Sequence, residues 1–473
     1  MNPNQSGYQH GGISLLTGWL PLTAEIVTVV VLIAAVGWRT RRWRSISVPV
    51  GMCLGVAAAL TARWYVDDQG LSSDPAPTRL WVWVAATAAA LAVAVLGWRG
   101  SRWRRRALSL LAVPLGLLCV ALAVNQWVGY YPTVQAAWGA ATAGPLPDQV
   151  AADELADLRG TTTATGKVVP VDIPDSASGF AHRTEYVYLP PAWFAGPTPP
   201  TLPVLMMIAG EFNTPADWMR SGDIVSTVDA YAASHAGRTP ILVFVDAGGS
   251  FNNDTECVDG PRGNAADHLT GDVRPYVIST FGASPEAANW GIVGWSMGGT
   301  CAVDLTVMHP DLFSTFVDIA GDHGPTAGTK DQTIDRLYGG DSAQWAAYDP
   351  ATVMSVHGPY TGVSGLFEDT DGTGRRRGGG NRPAPRSQPG SDDRAGIGGH
   401  DGTPDTDEKG AATDLCTAAT AVGITCDVHT APGGHTWQFA ASAFADSLPS
   451  IASRIGTPDR GAPSNDPGPT LGG

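Results

Sequence analysis

Four long apolar runs separated by short polar turns occupy the first 128 residues, and nothing like them recurs later in the chain. They read Leu20–Trp38, Ile46–Trp64, Leu80–Trp98 and Ala107–Val128. Each has about the 20 residues that a helix needs to cross a hydrocarbon core. The one acid inside them is Glu25, near the start of the first run, at a depth where a headgroup region would hold it. Trp38, Trp64, Trp98, Trp127, Tyr130 and Tyr131 flank the runs as interfacial aromatic anchors.

After residue 128 the period changes. Residues 129–164 form a polar connector with a short helix expected at "LPDQVAADELADL". Short apolar runs then alternate with helical patterns. "TEYVYLPPAW", "PVLMMIAG", "ILVFVDAG", "ANWGIVGWS", "STFVDIAG", "VSGLFED" and "TCDVHTAP" read as strands. "ADWMRSGDIVSTVDAYAASH", "GNAADHLTGDVRPYVISTF", "MGGTCAVDLTVMH" and "ATDLCTAATAVG" read as helices. Such alternation predicts an α/β domain with a mostly parallel sheet flanked by helices over residues 165–455. Within it, residues 372–410 are rich in Gly, Pro, Arg and Asp and hold no large apolar residue except Ile397. Burial there cannot offset the entropy of ordering, so a disordered insertion is expected, with a similar tail over 456–473.

Charge separates the same two parts. The chain carries a net −15, but residues 1–130 hold eleven arginines, no lysine and four acids, a balance of +7. The remainder stands at −22, which would repel phosphates and excludes nucleic acid as a partner. The arginines concentrate in "RTRRWRS" and "RGSRWRRR", while the turn between the second and third runs holds three aspartates and one arginine. The positive-inside rule puts both arginine-rich turns in the cytoplasm, and with them the N-terminus and everything beyond residue 128 outside. Residues 1–128 are thus expected to be four transmembrane helices that anchor an extracytoplasmic domain. No acid or base lies deep in a run, which leaves a transport pathway without support.

Cysteine usage fits that compartment. Cys53 and Cys119 fall inside apolar runs; Cys257, Cys301, Cys416 and Cys426 fall in the outer part, an even number where disulfides persist. Three pairings are open, of which Cys257–Cys301 with Cys416–Cys426 is favoured. No C-x-x-C or H-E-x-x-H spacing occurs, so neither a metal nor another cofactor is expected.

The chemistry centres on "WGIVGWSMGGTCAVDL", in which Gly294-Trp295-Ser296-Met297-Gly298 fits G-x-S-x-G. In a chain with 58 glycines that spacing alone is weak. Its setting is stronger, because a strand runs into it and a helix follows, as a nucleophile elbow requires. Ser296 is the candidate nucleophile, and the N–H of Met297 would stabilise the developing oxyanion. His435, on the Gly-rich loop "TAPGGHTWQF" after the last strand, is the candidate base in the chain order Ser, acid, His. The acid is sought at the end of "GLFEDTDG": Asp371 first, with Asp369 and Glu368 as alternates. The second oxyanion donor is expected in "AGEFNTPADW", from the N–H of Glu211 before that of Phe212.

From about residue 165 to 455 the chain resembles the putative-esterase family of α/β-hydrolases, which includes esterase D-type enzymes and the actinobacterial mycolyltransferases. The resemblance lies in "YVYLPPAW", "AGEFNTPADW", "VFVDAGG", "TECVDGPRGNA", "GWSMGGTCA", "HPDLFSTFVDIAGDHGP" and "APGGHTWQFA", in family order. The four apolar runs look like those of membrane-anchored actinobacterial members. By resemblance Ser296 and His435 are nucleophile and base, and Glu211 and Met297 form the oxyanion hole. The long insertion directly after the candidate acids departs from the family pattern and leaves the acid open. The resemblance implies a serine esterase acting on carboxylic esters, with lipid or glycolipid substrates among them. An acyltransferase passing the acyl group to a sugar hydroxyl is the alternative, and a non-catalytic binding protein the third reading.

Overall fold

A computed structural model describes residues 12–37, 40–69, 76–98, 103–142, 144–251, 253–370 and 408–457. The apolar runs form α1 (Trp19–Val36), α2 (Val48–Gln69, entered through a π-helical stretch Trp43–Ser47), α3 (Thr78–Gly97) and α4 (Trp103–Val128). All four are long and apolar enough to cross a membrane. α4 starts four residues earlier than the apolar pattern because Arg104, Arg105 and Arg106 continue the helix. Arginine is a good helix former and can extend its charge away from an apolar stem.

The helices pack in the order α2, α3, α4, α1. Small residues permit the approach: a Cβ on Gly55 of α2 would lie 2.4 Å from the Ala85 carbonyl of α3, and one on Gly116 of α4 would lie 2.4 Å from the Thr87 hydroxyl of α3. Glu25 does not stand alone. Arg79 pairs with it, Trp83 Nε1 donates to it at 3.2 Å, and Arg79 also reaches Gln126 at 2.8 Å. At the other end Gly37, which follows α1, lies against the Arg105 guanidinium of α4. The outward sides of the bundle expose Leu22, Ile26, Val30, Ile33, Leu60, Leu91 and Leu118.

The second part is built on an eight-stranded sheet. Its strands are β1 (Lys167–Val171), β2 (Glu185–Leu189), β3 (Val204–Ile208), β4 (Ile241–Val245), β7 (Trp290–Trp295), β8 (Thr315–Ile319), β9 (Ser364–Thr370) and β10 (Thr425–Ala431); β5 (Asp259–Gly260) and β6 (Gly263–Asn264) form a separate small hairpin. The order is β1-β2-β4-β3-β7-β8-β9-β10, antiparallel at β1/β2 and β2/β4 and parallel elsewhere. The sequence pattern passes over β1, "KVVPV", whose Pro170 argues against a strand; the structure seats it at the sheet edge, where a missing N–H is tolerated. The long helix read at 216–235 breaks into Asp217–Arg220 and Ile224–Ser234, with Asp223 at φ +51° between them. In the connector, "LPDQVAADELADL" gives one 3₁₀ turn, Ala152–Leu155, and a helix stands earlier at Val134–Ala141. Three further helices, Lys330–Tyr338, Ser342–Tyr348 and Pro350–His357, fill a stretch in which the pattern had shown none.

Central strands are buried on both faces, as a covered parallel sheet requires. Val204, Met206 and Ile208 of β3 point into one core, with helix Met297–Met308 and residues 265–281 against it. Leu205 and Met207 point into the other, shared with helix Ile224–Ser234 and the last helix, Trp437–Arg454. Each fully buried Leu, Ile, Met or Phe side chain contributes roughly 1.5–3 kcal/mol. Residues 372–407 and 458–473 lie outside the described residues, and Glu408 opens the helix Glu408–Ala421.

Cys257 is bonded to Cys301, and Cys416 to Cys426. The first link ties the loop after β4 to the helix that follows Ser296. It spans 44 residues of sequence, so its removal should cost about 4 kcal/mol on the chain-entropy account. Replacing both cysteines by alanine in the full chain is expected to lower the urea midpoint strongly. An unchanged midpoint would show that the link does not hold the domain.

Candidate active site

The turn after β7 is built by exclusion. A Cβ on Gly294 would sit 1.6 Å from the Gly298 carbonyl oxygen, and one on Gly298 would sit 2.2 Å from that of Ile208. Strand, turn and helix can therefore close on one another only if both positions lack side chains. Between them Ser296 takes φ +58° and ψ −123°, a region costing about 1–3 kcal/mol for a residue with a Cβ. Its N–H donates to Ile319 O of β8 at 2.9 Å, and its carbonyl accepts from Gly299 N and Thr300 N. Ser296 thereby caps the helix Met297–Met308, whose first N–H groups have no carbonyl partner within the helix.

His435 reaches this serine from 139 residues away. Its Nε2 lies 2.9 Å from Ser296 Oγ. Thr436, next in sequence, caps the last helix through its side chain and so sets where the histidine loop ends. The ring also lies on Trp295, with centroids 4.2 Å apart at 34°. Trp295 is the variable position before the serine, and the sequence reading assigned it no task. The motif allows any residue there, so only an alternation of faces along β7 could have pointed to it.

Of the three carboxylates proposed for the acid, two lie among the described residues. Glu368 is buried and lies 3.1 Å from His429 Nδ1 on the neighbouring strand. Asp369 is 1% exposed and accepts the N–H of Thr370 at 3.0 Å. Asp371 lies outside the described residues.

The loop after β3 closes the site on its other side. Gly210 abuts Ser296, since a Cβ there would be 3.1 Å from that of the serine. Phe212 takes φ +63°. Glu211, Phe212, Asn213 and Met297 line one pocket together with Arg183 and Asp246. Arg183 binds Asp246 through Nε at 2.9 Å and Nη2 at 2.6 Å, and also gives Nη2 to the Asn213 carbonyl at 2.8 Å. Burial would raise the Asp246 carboxyl, but the guanidinium outweighs it and holds it below the usual range. The sequence reading missed this brace. Arg183 and Asp246 stand 63 residues apart, and although Asp246 falls in "VFVDAGG", nothing in that stretch points to Arg183.

One group among the described residues has metal-ligand atoms close together: His182, Glu185 and His268, within 4.8 Å of one another. Both nitrogens of His182 already face carbonyl oxygens, Arg183 O at 3.0 Å and Ile173 O at 2.7 Å. Those of His268 face Glu185 at 3.2 Å and Asp272 at 3.5 Å. His182 is thus held by two backbone carbonyls, and His268 by its contact with Glu185.

A family profile described as putative esterase matches residues 179–364. An uncharacterized protein of Corynebacterium glutamicum is 30% identical over 363 residues, covering 73% of this chain and 82% of that protein. The chain belongs to the putative-esterase family of α/β-hydrolases. Solved structures of similar fold include an S-formylglutathione hydrolase from Agrobacterium tumefaciens (TM-score 0.46, 16% identity, 63% of this chain and 98% of that one). MPT51 of Mycobacterium tuberculosis is another (TM-score 0.37, 16% identity, 60% and 99%). Family membership supports esterase chemistry.

Glu211 has an electrostatic position of its own. Burial first, then the Asp254 carboxyl, push its side chain up to about 9, while Arg262 pulls the other way. In the folded protein this carboxyl keeps a proton that the unfolded chain releases in the ordinary carboxylate range. Between those limits the unfolded chain binds fewer protons, so stability falls as pH rises. Glu211→Gln should therefore melt progressively higher than wild type between about pH 5 and about pH 8. A melting difference that is the same at both ends would exclude the carboxyl as its cause.

Proposed function

We propose that this protein is a membrane-anchored serine esterase whose catalytic domain, residues 165–455, lies on the extracytoplasmic side and works through an acyl-enzyme on Ser296. The observation that carries the reading is the 2.9 Å approach of His435 Nε2 to Ser296 Oγ on a backbone held at φ +58°. Ser296 Oγ attacks the ester carbonyl and His435 takes its proton. The oxyanion then faces the N–H groups of Met297 and Glu211, which line one pocket. His435 returns the proton to the leaving alcohol, and water repeats the sequence to release the acid.

Asp371 is the acid we assign to His435, with Asp369 as the alternate. Glu368 ranks last because His429 already engages it. Residues 1–128 serve as the anchor. The Gly37–Arg105 contact at one end of the bundle, with Gly129 at the other, supports a cytoplasmic face for the first and an outer face for the second. Two disulfides in the catalytic domain agree with an oxidising compartment.

The test uses the full chain in detergent, a fluorophosphonate probe with intact mass, and short p-nitrophenyl esters. Wild type should take one label and Ser296→Ala none, with turnover falling by about 10⁶. Asp371→Asn should lose about 10⁴ and Asp369→Asn far less. A transfer product formed when trehalose is added would assign the acyltransferase reading instead. A folded wild type that takes no label would end the catalytic reading.

A further inference from the structure

The last apolar helix does not run out into a slack linker. Asn125 closes its end, giving Nδ2 to Tyr131 O at 2.8 Å and accepting Tyr131 N–H at 2.7 Å. This fixes a turn in which Gly129 takes φ +66°. Gly129 is buried against the segment that follows His435. Its carbonyl accepts from Gln438 Nε2 at 2.9 Å, and a Cβ there would lie 2.9 Å from that of Thr436. Tyr130, which the sequence pattern suggests as an interfacial anchor, instead turns its hydroxyl into the catalytic domain and donates to Asp217 Oδ2 at 2.5 Å. The same oxygen accepts the N–H and the hydroxyl of Thr214 at 2.6 and 2.8 Å. Thr214 ends the loop that carries Glu211.

Asp217 is 3% exposed, and a buried carboxylate needs its donors. Burial and the Asp217 carboxylate both raise the Tyr130 phenol, which therefore stays protonated and donates. The loop is thus held twice: at Asn213 by Arg183, and at Thr214 through Asp217 by a tyrosine two residues beyond α4. The first brace lies within the catalytic domain; the second comes from the membrane-proximal turn.

We propose that Tyr130 is a positioning residue for the oxyanion loop, so that the exit of the fourth apolar helix is a working part of the active site and not a tether alone. This rests on the reading of Ser296 as nucleophile and of the Glu211 N–H as an oxyanion donor. Because Arg183 still holds Asn213, losing the Tyr130 hydroxyl shifts the Glu211 donor without releasing it. The effect falls on the transition state, where the oxyanion forms, and leaves ester binding alone.

The experiment compares wild type and Tyr130→Phe as full chains in detergent, on p-nitrophenyl butyrate, with active sites counted by fluorophosphonate labelling. Expected is a loss of about tenfold in kcat per labelled serine, below the ~10²–10³ of deleting a donor outright, with KM within about twofold. The inflection of kcat/KM with pH that reports His435 should not move. A purely structural role would lower the labelled fraction and leave kcat per labelled serine intact, which overturns the proposal, as does wild-type kcat in the variant. If Tyr130→Phe does not fold, Thr214→Val reads the same brace from its other end, and undiminished kcat there is equally fatal. A wild type that neither labels nor turns over ends the esterase reading and this proposal with it. A working wild type beside an unimpaired Tyr130→Phe ends the proposal alone.

Discussion

The contact between Gly298 and the Ile208 carbonyl is the constraint on which the site depends. A backbone-to-backbone approach of this kind brings β3, β7 and the helix Met297–Met308 closer than any pair of side chains would allow. It pushes Ser296 into a positive-φ conformation at the C-terminal edge of the sheet, and the surrounding packing has to hold it there. Strand β7 is buried along its whole length, and the helix after Ser296 is buried over eleven consecutive residues. A local conformation that is unfavourable by itself is kept because every neighbour is already in place.

Around that turn, the proposed catalytic groups come from loops that share an edge of the sheet but are distant in sequence. The loop after β3 brings Glu211, the turn after β7 brings Ser296 and Met297, and the loop after β10 brings His435. Each is held by something outside itself. Arg183 grips the first through Asn213, Ile319 grips the second through the Ser296 N–H, and the third leans on Trp295. Ligand sites in open α/β sheets commonly lie beyond the carboxyl ends of the strands for this reason: a rigid sheet presents several loops at a common level. The apolar bundle adds to the arrangement, since the turn after α4 touches both Asp217, which holds the loop after β3 at Thr214, and the segment after His435.

The residue types of the candidate site were proposed from the chain alone, because they are tied to local rules. Gly294 and Gly298 announce a turn with no room for side chains, and a histidine on a glycine-rich loop after the last strand is an expected place for a base. The supports were not legible. Arg183 with Asp246, Trp295 with His435 and Tyr130 with Asp217 are single residues without spacing, joined only when the chain folds. Edge strand β1 escaped notice because Pro170 breaks the strand pattern, and the helices between 330 and 357 because each is short and gives only one or two residues, such as Leu337, Tyr348 and Met354, to the core.

Sequence by itself determined the two-part plan: apolar runs of bilayer length followed by alternating strands and helices, with arginines gathered in two turns. These are consequences of hydrophobic period and of charge, and both are properties of neighbouring residues. Tertiary structure alone decided which carboxylate meets which histidine, placing Glu368 against His429, and which side chains brace the loops around Ser296. It also decided that the bundle and the catalytic domain meet at Gly129 and Tyr130. Such choices depend on distances between residues tens to hundreds of positions apart, which no local pattern encodes until packing brings them into contact.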